Sequence, residues 1–444
     1  MKVTIGNKIK IENYSFALID WCSKNLVVDN PEFYIAEKMG RYSRNIEKKL
    51  YIYESNSKVL YLPFGSIKKI WPMIKDSEII LDFGSPRTNN MQGHINLYPY
   101  QQKALEATKT AKSGILQAPC GSGKTQIGLA LIKEYGMKAL WLTHTKDLLT
   151  QSKQRAEAYF KGDFGTITDG KVNIGNDITF ATVQTMAKID LTDYKYAFDV
   201  IIVDECHKVA GTPTKLMMFY KVLSSLAARY KYGLSATVHR ADSLITSTFA
   251  VIGDIVHEIT EEEVGNKIIK AIHTPVFTNL PTSMDYLETD GMLNFNNLIN
   301  YIVSNHDRNL LIKDLIEKEK DQLFLVLSHR VDHCNTLKNL VGYGEVITGA
   351  VNKDQRQFAF EGIKSGKVRV IFATYALAKE GLDLPNLTRL ILATPQKDYA
   401  IVKQSVGRIE RNVDGKDQPI ALDLVDRNIN FCLSMYKKRK NILK

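Results

Sequence analysis

Ala118-Pro119-Cys120-Gly121-Ser122-Gly123-Lys124-Thr125 is the stretch whose reading decides the fold. The apolar run Gly114-Ile115-Leu116-Gln117-Ala118 precedes it as a strand, and the pattern from Thr125 to Tyr135 follows it as a helix. Strand, glycine-rich turn and helix in that order form the context a phosphate-binding loop requires. Gly121 and Gly123 let backbone N–H groups turn toward an anion without a Cβ clash. The helix N-terminus adds partial positive charge at the same point. Pro119, Cys120 and Ser122 complete the loop, Lys124 can reach β- and γ-phosphates, and the Thr125 hydroxyl can ligate Mg²⁺. The first glycine of the usual pattern is Ala118 here. The bland alternative is a Gly-rich turn that binds nothing.

Working outward, Val200-Ile201-Ile202-Val203 is an apolar strand that ends in Asp204-Glu205-Cys206-His207. Open parallel sheets bind ligands at the C-terminal ends of their strands. Asp204 is therefore expected to hold Mg²⁺, and Glu205 to orient and deprotonate an attacking water. Paired with Lys124, this adjacent carboxylate pair is hard to read as plain solvated surface. His207 stays open between coupling nucleotide state to a neighbouring motif and serving as a hydrogen-bonded core histidine.

The same rhythm surrounds both stretches. Ala139 to Leu142 and Ile178 to Ala181 read as further buried strands, with a helix from Lys146 to Phe160. It returns at Leu323 to Leu327, Val368 to Ala373, Arg389 to Ala393 and Ile420 to Asp423. Apolar strands alternating with helices predict α/β units built on parallel sheets covered on both faces. Segment 1–92 differs. It is rich in aromatics (Trp21, Phe33, Tyr34, Tyr42, Tyr51, Tyr53, Tyr61, Phe64, Trp71), with strands at Lys49–Tyr53 and Val59–Leu62 joined by a hairpin loop at 54–58. It reads as a small α+β domain whose aromatics either form its core or, with Lys38, Arg41, Arg44, Lys48 and Lys49, contact nucleic acid. Turn-prone Pro86 to Asn90 marks its end. The expected divisions are 1–92, 93–262 and 263–444, with 281–300 an irregular insertion and Lys437–Lys440 a solvated basic tail.

The 444 residues suffice for about three domains. Their 59 Lys+Arg against 48 Asp+Glu leave +11, which favours a polyanionic partner. No apolar run approaches the roughly 20 residues that span a bilayer, and the start MKVTIGNKIKIENYSF lacks a signal-peptide core. A soluble, intracellular protein is expected. The five cysteines lie far apart, which argues against zinc or a disulfide framework.

With the phosphate loop as motif I and Asp204-Glu205-Cys206-His207 as motif II, the chain resembles the superfamily 2 helicases and translocases over residues 95–430. The resemblance implies two RecA-like motor domains in tandem. Leu97-Tyr98-Pro99-Tyr100-Gln101-Gln102 resembles the adenine-reading glutamine motif and implicates Gln101 or Gln102. Thr143-His144-Thr145 resembles motif Ia, and Ala181-Thr182-Val183-Gln184-Thr185 a later strand-binding motif. Ser235-Ala236-Thr237 resembles motif III. Ser328-His329-Arg330 resembles the end of motif IV, and Ala373-Thr374 through Glu380-Gly381-Leu382-Asp383 resembles motif V. Gln404 to Arg411 resembles motif VI. The resemblance implies backbone contacts from Thr143, Thr145, Thr182, Arg330 and Thr374, nucleotide contacts from Gly381 and Asp383, and coupling through His207, Ser235, Thr237 and Glu380. Gln404 would contact the γ-phosphate or water. Arg408 and Arg411, three apart, are expected to share one helix face and act as arginine fingers across a cleft from the loop.

His207 in motif II, Thr143-His144-Thr145-Lys146-Asp147-Leu148 and Gln404 resemble DNA-acting members more than RNA-dependent ones. So does Ser235-Ala236-Thr237-Val238-His239-Arg240-Ala241-Asp242. The short N-terminal segment is similar to that of phage UvsW-type helicases, which implies ATP-driven branch migration and unwinding of forked, branched or duplex DNA by a monomer, with oligomers left open. Two alternatives stand beside this: a duplex translocase serving a separate nuclease, and a DNA-binding module with a silent ATP site.

Overall fold

The computed structural model describes residues 1–40, 44–209, 212, 217–237, 245–265, 268–288, 291–349, 353–379, 384, 386–413 and 415–443. It divides into two compact units, Met1–Glu263 and Val264–Lys444.

The first unit opens with a five-stranded sheet in the order Glu54–Ser55, Val59–Pro63, Lys8–Glu12, Lys2–Ile5, Glu78–Leu81. Strict alternation in Lys2–Ile5 and Lys8–Glu12 turns Val3, Ile5, Ile9 and Ile11 to one buried face. They share a core with Leu18 and Cys22 of helix Phe16–Asn25 and with Ile70 and Ile74 of helix Ile67–Ile74. Aliphatic side chains dominate this core, with Phe83 buried among them and Trp21 and Tyr53 packed against it, so the aromatics join it only in part. Phe64 is buried, but Tyr34, Tyr51 and Trp71 are exposed. The expected hairpin is also redrawn. Lys49–Tyr51 pairs with Val27–Asp29, whereas Glu54–Ser55 turns back on Val59–Pro63. The first pairing carries Leu50 and Val28 into the core, and burial of two aliphatic side chains favours it over a local hairpin.

The second sheet of this unit has eight strands. Their order is Lys171–Asn173, Phe164–Thr168, Ile178–Thr182, Ala139–Thr143, Val200–Asp204, Tyr230–Ser235, Ser113–Gln117, Ile255–Glu258. All neighbours are parallel except the edge pair Phe164–Thr168 and Lys171–Asn173. Every residue of Ala139–Thr143, Ile178–Thr182 and Val200–Asp204 is buried, as expected of central parallel strands.

The two sheets of the first unit share one continuous apolar cluster. A Cβ on Gly65 would lie 2.4 Å from the Gly253 N and 2.6 Å from the Phe249 O, so only glycine permits this approach. Asn7 donates to the Ser224 carbonyl at 2.6 Å, and Asp82 takes Lys195 at 2.8 Å and the Tyr196 hydroxyl at 2.6 Å. Segment 86–90 runs along the large sheet rather than hanging free. The Arg87 N–H donates to Asp199 and the Asn89 side chain to the Met137 carbonyl, both at 2.8 Å.

The second unit carries a six-stranded parallel sheet in the order Ile272–Thr278, Ile420–Asp426, Arg389–Leu392, Phe324–Ser328, Val370–Thr374, Glu345–Ile347. Two buried ion pairs hold helices to Ile420–Asp426. Arg308 binds Asp426 at 2.8 Å, and Arg439 binds Asp423 at 2.7 Å. Arg439 is 1% exposed, which corrects the solvated-tail reading at that residue, while Lys437, Lys438 and Lys440 are exposed as expected. Those residues belong to helix Asn430–Ile442, and helical spacing puts Arg439 on the face of Cys432 and Met435. The stretch read as irregular over 281–300 already enters helix Phe295–Ser304. Asn294 caps it by accepting from the Asn296 and Asn297 N–H groups.

Candidate ATP site and nucleic-acid groove

Strand Ser113–Gln117 runs into the loop, and helix Lys124–Tyr135 leaves it. Gly121 and Gly123 have φ of +83° and +82°, the left-handed conformation that glycine adopts without Cβ strain. The Lys124 Nζ bends back over the loop and donates to the carbonyls of Ala118 at 2.8 Å and Pro119 at 3.1 Å. The Ser122 hydroxyl is turned inward to the Pro119 carbonyl at 2.8 Å. The half-buried Thr125 follows Lys124 in the first turn.

Of the two glutamines, the fold brings Gln101 to the loop. It is 3% exposed, its Nε2 donates to the Ser122 carbonyl at 2.8 Å, and its Oε1 accepts from the Tyr98 N–H at 3.0 Å. Gln102 is exposed and faces Glu106 at 3.1 Å, so it takes no place at the loop. The helix that starts at Pro99 sets this choice, because neighbouring residues on a helix point about 100° apart. Tyr100, which sequence reasoning left out, donates its hydroxyl to the same Ser122 carbonyl at 3.1 Å.

Asp204 ends its strand 8% exposed. Burial first, and then the adjacent Glu205 carboxylate, push its pKa up to about 7, while the Lys124 ammonium pulls the other way. A buried carboxylate beside a second carboxylate is a poor anion unless a cation joins it. Mg²⁺ fits there, since it needs only one or two protein oxygens besides phosphate and water. Asp204 and Thr125 would supply those oxygens, and the ion would offset the charge that burial disfavours. Among the described residues no cluster of three or more His, Cys, Asp or Glu forms a self-contained metal cage.

Glu205 has φ of +52°, a conformation uncommon for a residue with a Cβ and frequent where function requires a fixed side-chain direction. The chain then makes a 3₁₀ turn, Cys206–Lys208. His207 is buried, and its Nδ1 lies 2.9 Å from the Ser235 hydroxyl and 3.3 Å from Glu205 Oε2. The Ser235 hydroxyl donates to the Thr237 carbonyl at 2.7 Å. The Ala118 N–H of the loop donates to the Ser235 carbonyl at 3.0 Å. Loop, acidic turn and motif III residues therefore form one hydrogen-bonded group. Gly233 leaves room for this turn: a Cβ there would lie 2.6 Å from the Cys206 sulfur.

A groove on the same unit is lined by Thr145, Lys146, Thr182, Gln184, Lys188 and the Asp169-Gly170 turn. Thr145 caps helix Lys146–Tyr159 by accepting from the Leu148 N–H. Thr182 is 5% exposed, and its hydroxyl donates to that of Thr185 at 3.1 Å. Thr143 corrects its expectation. It is wholly buried, and its hydroxyl donates to the Thr145 carbonyl at 3.0 Å, so it shapes the turn instead of touching a strand.

In the second unit, Arg330 is held by side chains of helix Phe295–Ser304. Its Nε meets Asn300 and its Nη2 meets Asn296, both at 3.1 Å. Thr374 ends its strand half-buried beside Ser328. Gln404 is 2% exposed on helix Tyr399–Ile409, with its Oε1 buried and lacking a hydrogen-bond partner. Arg408 lies in the last turn of that helix. Arg411 lies beyond the end of the helix and bridges Ile268, so the two arginines do not share a helix face as expected. Glu380, Gly381 and Asp383, like Arg41 and 238–242, lie outside the described residues.

Comparison with known proteins agrees with this geometry. Residues 94–240 match the family described as type III restriction enzyme, res subunit, and residues 307–413 match the helicase conserved C-terminal domain. "Putative ATP-dependent RNA helicase L396" of Acanthamoeba polyphaga mimivirus is 27% identical, over 98% of this chain and 86% of its own. The ATP-dependent DNA helicase uvsW of Enterobacteria phage T4 is 23% identical, over 94% and 90%. The DNA 3'-5' translocase XPB2 of Sulfurisphaera tokodaii is 24% identical, over 74% and 81%. Both halves of a tandem RecA-like motor are thus matched, over more than half of the sequence. The chain belongs to the superfamily 2 helicases, ATP-hydrolysing enzymes that act on nucleic acid, and within them it resembles UvsW.

Proposed function

We propose that this helicase is a DNA-dependent ATPase that translocates on DNA and unwinds or branch-migrates forks and junctions. The observation that carries the reading is Lys124 folded over the phosphate loop within electrostatic reach of Asp204, with His207 joining the Glu205 turn to Ser235, on the same unit as a threonine-lined groove. Lys124 neutralises phosphate charge, Asp204 and Thr125 hold the metal, Glu205 directs the water, and His207 passes the change to Ser235 and Thr237. Gln101 reads the base, and Gln404, Arg408 and Arg411 meet the γ-phosphate. Thr145, Thr182, Arg330 and Thr374 hold the strand through its backbone, which needs no sequence readout. The divisions at 92 and 262 are kept as functional segments, with the N-terminal one contacting branched substrates. No described helix is long and apolar enough to cross a membrane.

Of the three relatives given above, two are named for DNA and one for RNA, and the res-subunit family favours a second reading as a duplex translocase. One panel separates these. ATPase and strand displacement are measured on single-stranded DNA, duplex, fork and four-way junction, with matched RNAs and a triplex-displacement arm. Unwinding of DNA forks and junctions is expected. Stimulation by RNA alone overturns the DNA assignment, and triplex displacement without unwinding selects the translocase. Lys124→Ala should abolish stimulated ATPase while leaving DNA binding in place, and full activity in that variant removes the reading.

A further inference from the structure

The 3₁₀ turn Cys206–Lys208 sends its two charged or titratable side chains in different directions. His207 turns to Ser235. Lys208 turns to the other side, where its Nζ contacts the Nε2 of His144. An ammonium has only donors, so the His144 ring nitrogen is the acceptor in this contact.

His144 stands between two residues of the groove wall and is itself 9% exposed there. Its carbonyl accepts from the Gln184 Nε2 at 2.5 Å. Gln184 belongs to the short helix Val183–Met186 that follows Thr182. Thr143 and Thr145 flank His144 in the chain, and Thr143 ties back to Thr145. One imidazole and its peptide thus connect the turn after the acidic pair to both segments that line the groove. The contact is a single hydrogen bond to a ring nitrogen and can yield when the turn moves.

We propose that Lys208 and His144 are a positioning pair that transmits the state of the Asp204–Glu205 turn to the nucleic-acid groove, a second branch beside the His207–Ser235 contact. This rests on the proposed nucleic-acid-stimulated ATPase. Neither residue touches nucleotide; each acts through what it holds.

The test uses the full chain with Lys208→Met, His144→Asn and the double variant. Three quantities are read: ATPase without nucleic acid, ATPase with saturating single-stranded DNA, and DNA affinity with a non-hydrolysable ATP analogue against ADP. Lys208→Met is expected to keep the unstimulated rate, to lose about fivefold or more of the stimulation, and to weaken the nucleotide dependence of DNA affinity; the DNA dependence of nucleotide affinity should fall by the same factor as the latter, because binding linkage is reciprocal. His144→Asn should lose the stimulation likewise, and the double variant should be no worse than either, since one contact cannot be lost twice. Stimulation in Lys208→Met within about twofold of the wild type, or effects that add in the double variant, overturns the pair. If Lys208→Met unfolds early, His144→Asn carries the test from the other partner. Early unfolding there as well overturns transmission in favour of plain packing. A wild type indifferent to every DNA and RNA removes the proposed function and this inference together. A stimulated wild type with an equally stimulated Lys208→Met removes this inference alone.

Discussion

Lys231 is a buried charge without a carboxylate. It is 0% exposed in strand Tyr230–Ser235, where its Nζ donates to the Leu223 carbonyl at 2.8 Å and lies 4.8 Å from the centre of the Phe64 ring. Burial pushes its pKa down to about 7 from the ordinary 10.5. At 1.36 kcal/mol per pH unit, the charged amine costs the folded chain up to about 5 kcal/mol. Between pH 7 and 10.5 the unfolded chain holds a proton that the folded chain has released, so stability rises with pH across that window and is flat below it. Lys231→Met removes the titration but strands the Leu223 carbonyl, a loss of roughly 1–2 kcal/mol. The variant should therefore be more stable than wild type by roughly 3 kcal/mol at pH 6, and should lose that advantage by pH 9 as the wild type gains about 3 kcal/mol. Urea unfolding of both proteins at pH 6, 7.5 and 9, compared at each pH so that other titrations cancel, reads the difference. A gap that stays constant from pH 6 to 9, or widens, refutes the argument and means that Lys231 is hydrated or paired in solution. The residue also lies where the small sheet meets the strand that ends in Ser235, so its protonation bears on how firmly the N-terminal segment is seated.

Three further outcomes follow from single contacts. Thr143→Val should cost roughly 1–2 kcal/mol of stability by losing a buried hydroxyl's bonds, while the salt dependence of DNA binding stays unchanged; a flattened salt slope would return Thr143 to the strand contacts. Arg439→Met leaves the buried Asp423 carboxylate with the His273 ring at 3.0 Å but without its guanidinium, so unfolding should become easier by about 3 kcal/mol, and a neutral result in thermal melts would contradict the burial of this pair. Gly233→Ala drives a Cβ to 2.6 Å from the Cys206 sulfur. The strain should cost about 1–3 kcal/mol and lower ATPase by shifting the acidic turn, and Cys206→Ala in the same chain should restore part of the rate.

The sequence by itself determined the parallel-sheet class, the phosphate loop and the acidic turn. Those readings rest on local chemistry. Glycines at 121 and 123 are required by backbone sterics, and an apolar run such as Val200–Val203 must be buried wherever it sits. Strand Tyr230–Ser235 escaped notice because Lys231 and two tyrosines break its apolar run, although the fold buries all but its first residue. Tertiary structure alone decided matters that depend on long-range pairing and direction. It chose Gln101 over Gln102, seated Lys49–Tyr51 on Val27–Asp29, withdrew Thr143 from the groove and turned Arg439 inward to Asp423. It also ended the motif VI helix before Arg411, which separated two arginines that spacing alone had placed on one face. In each case the residue types were visible in the chain. Which neighbour each would meet depended on partners tens to hundreds of residues away, and no local propensity encodes that.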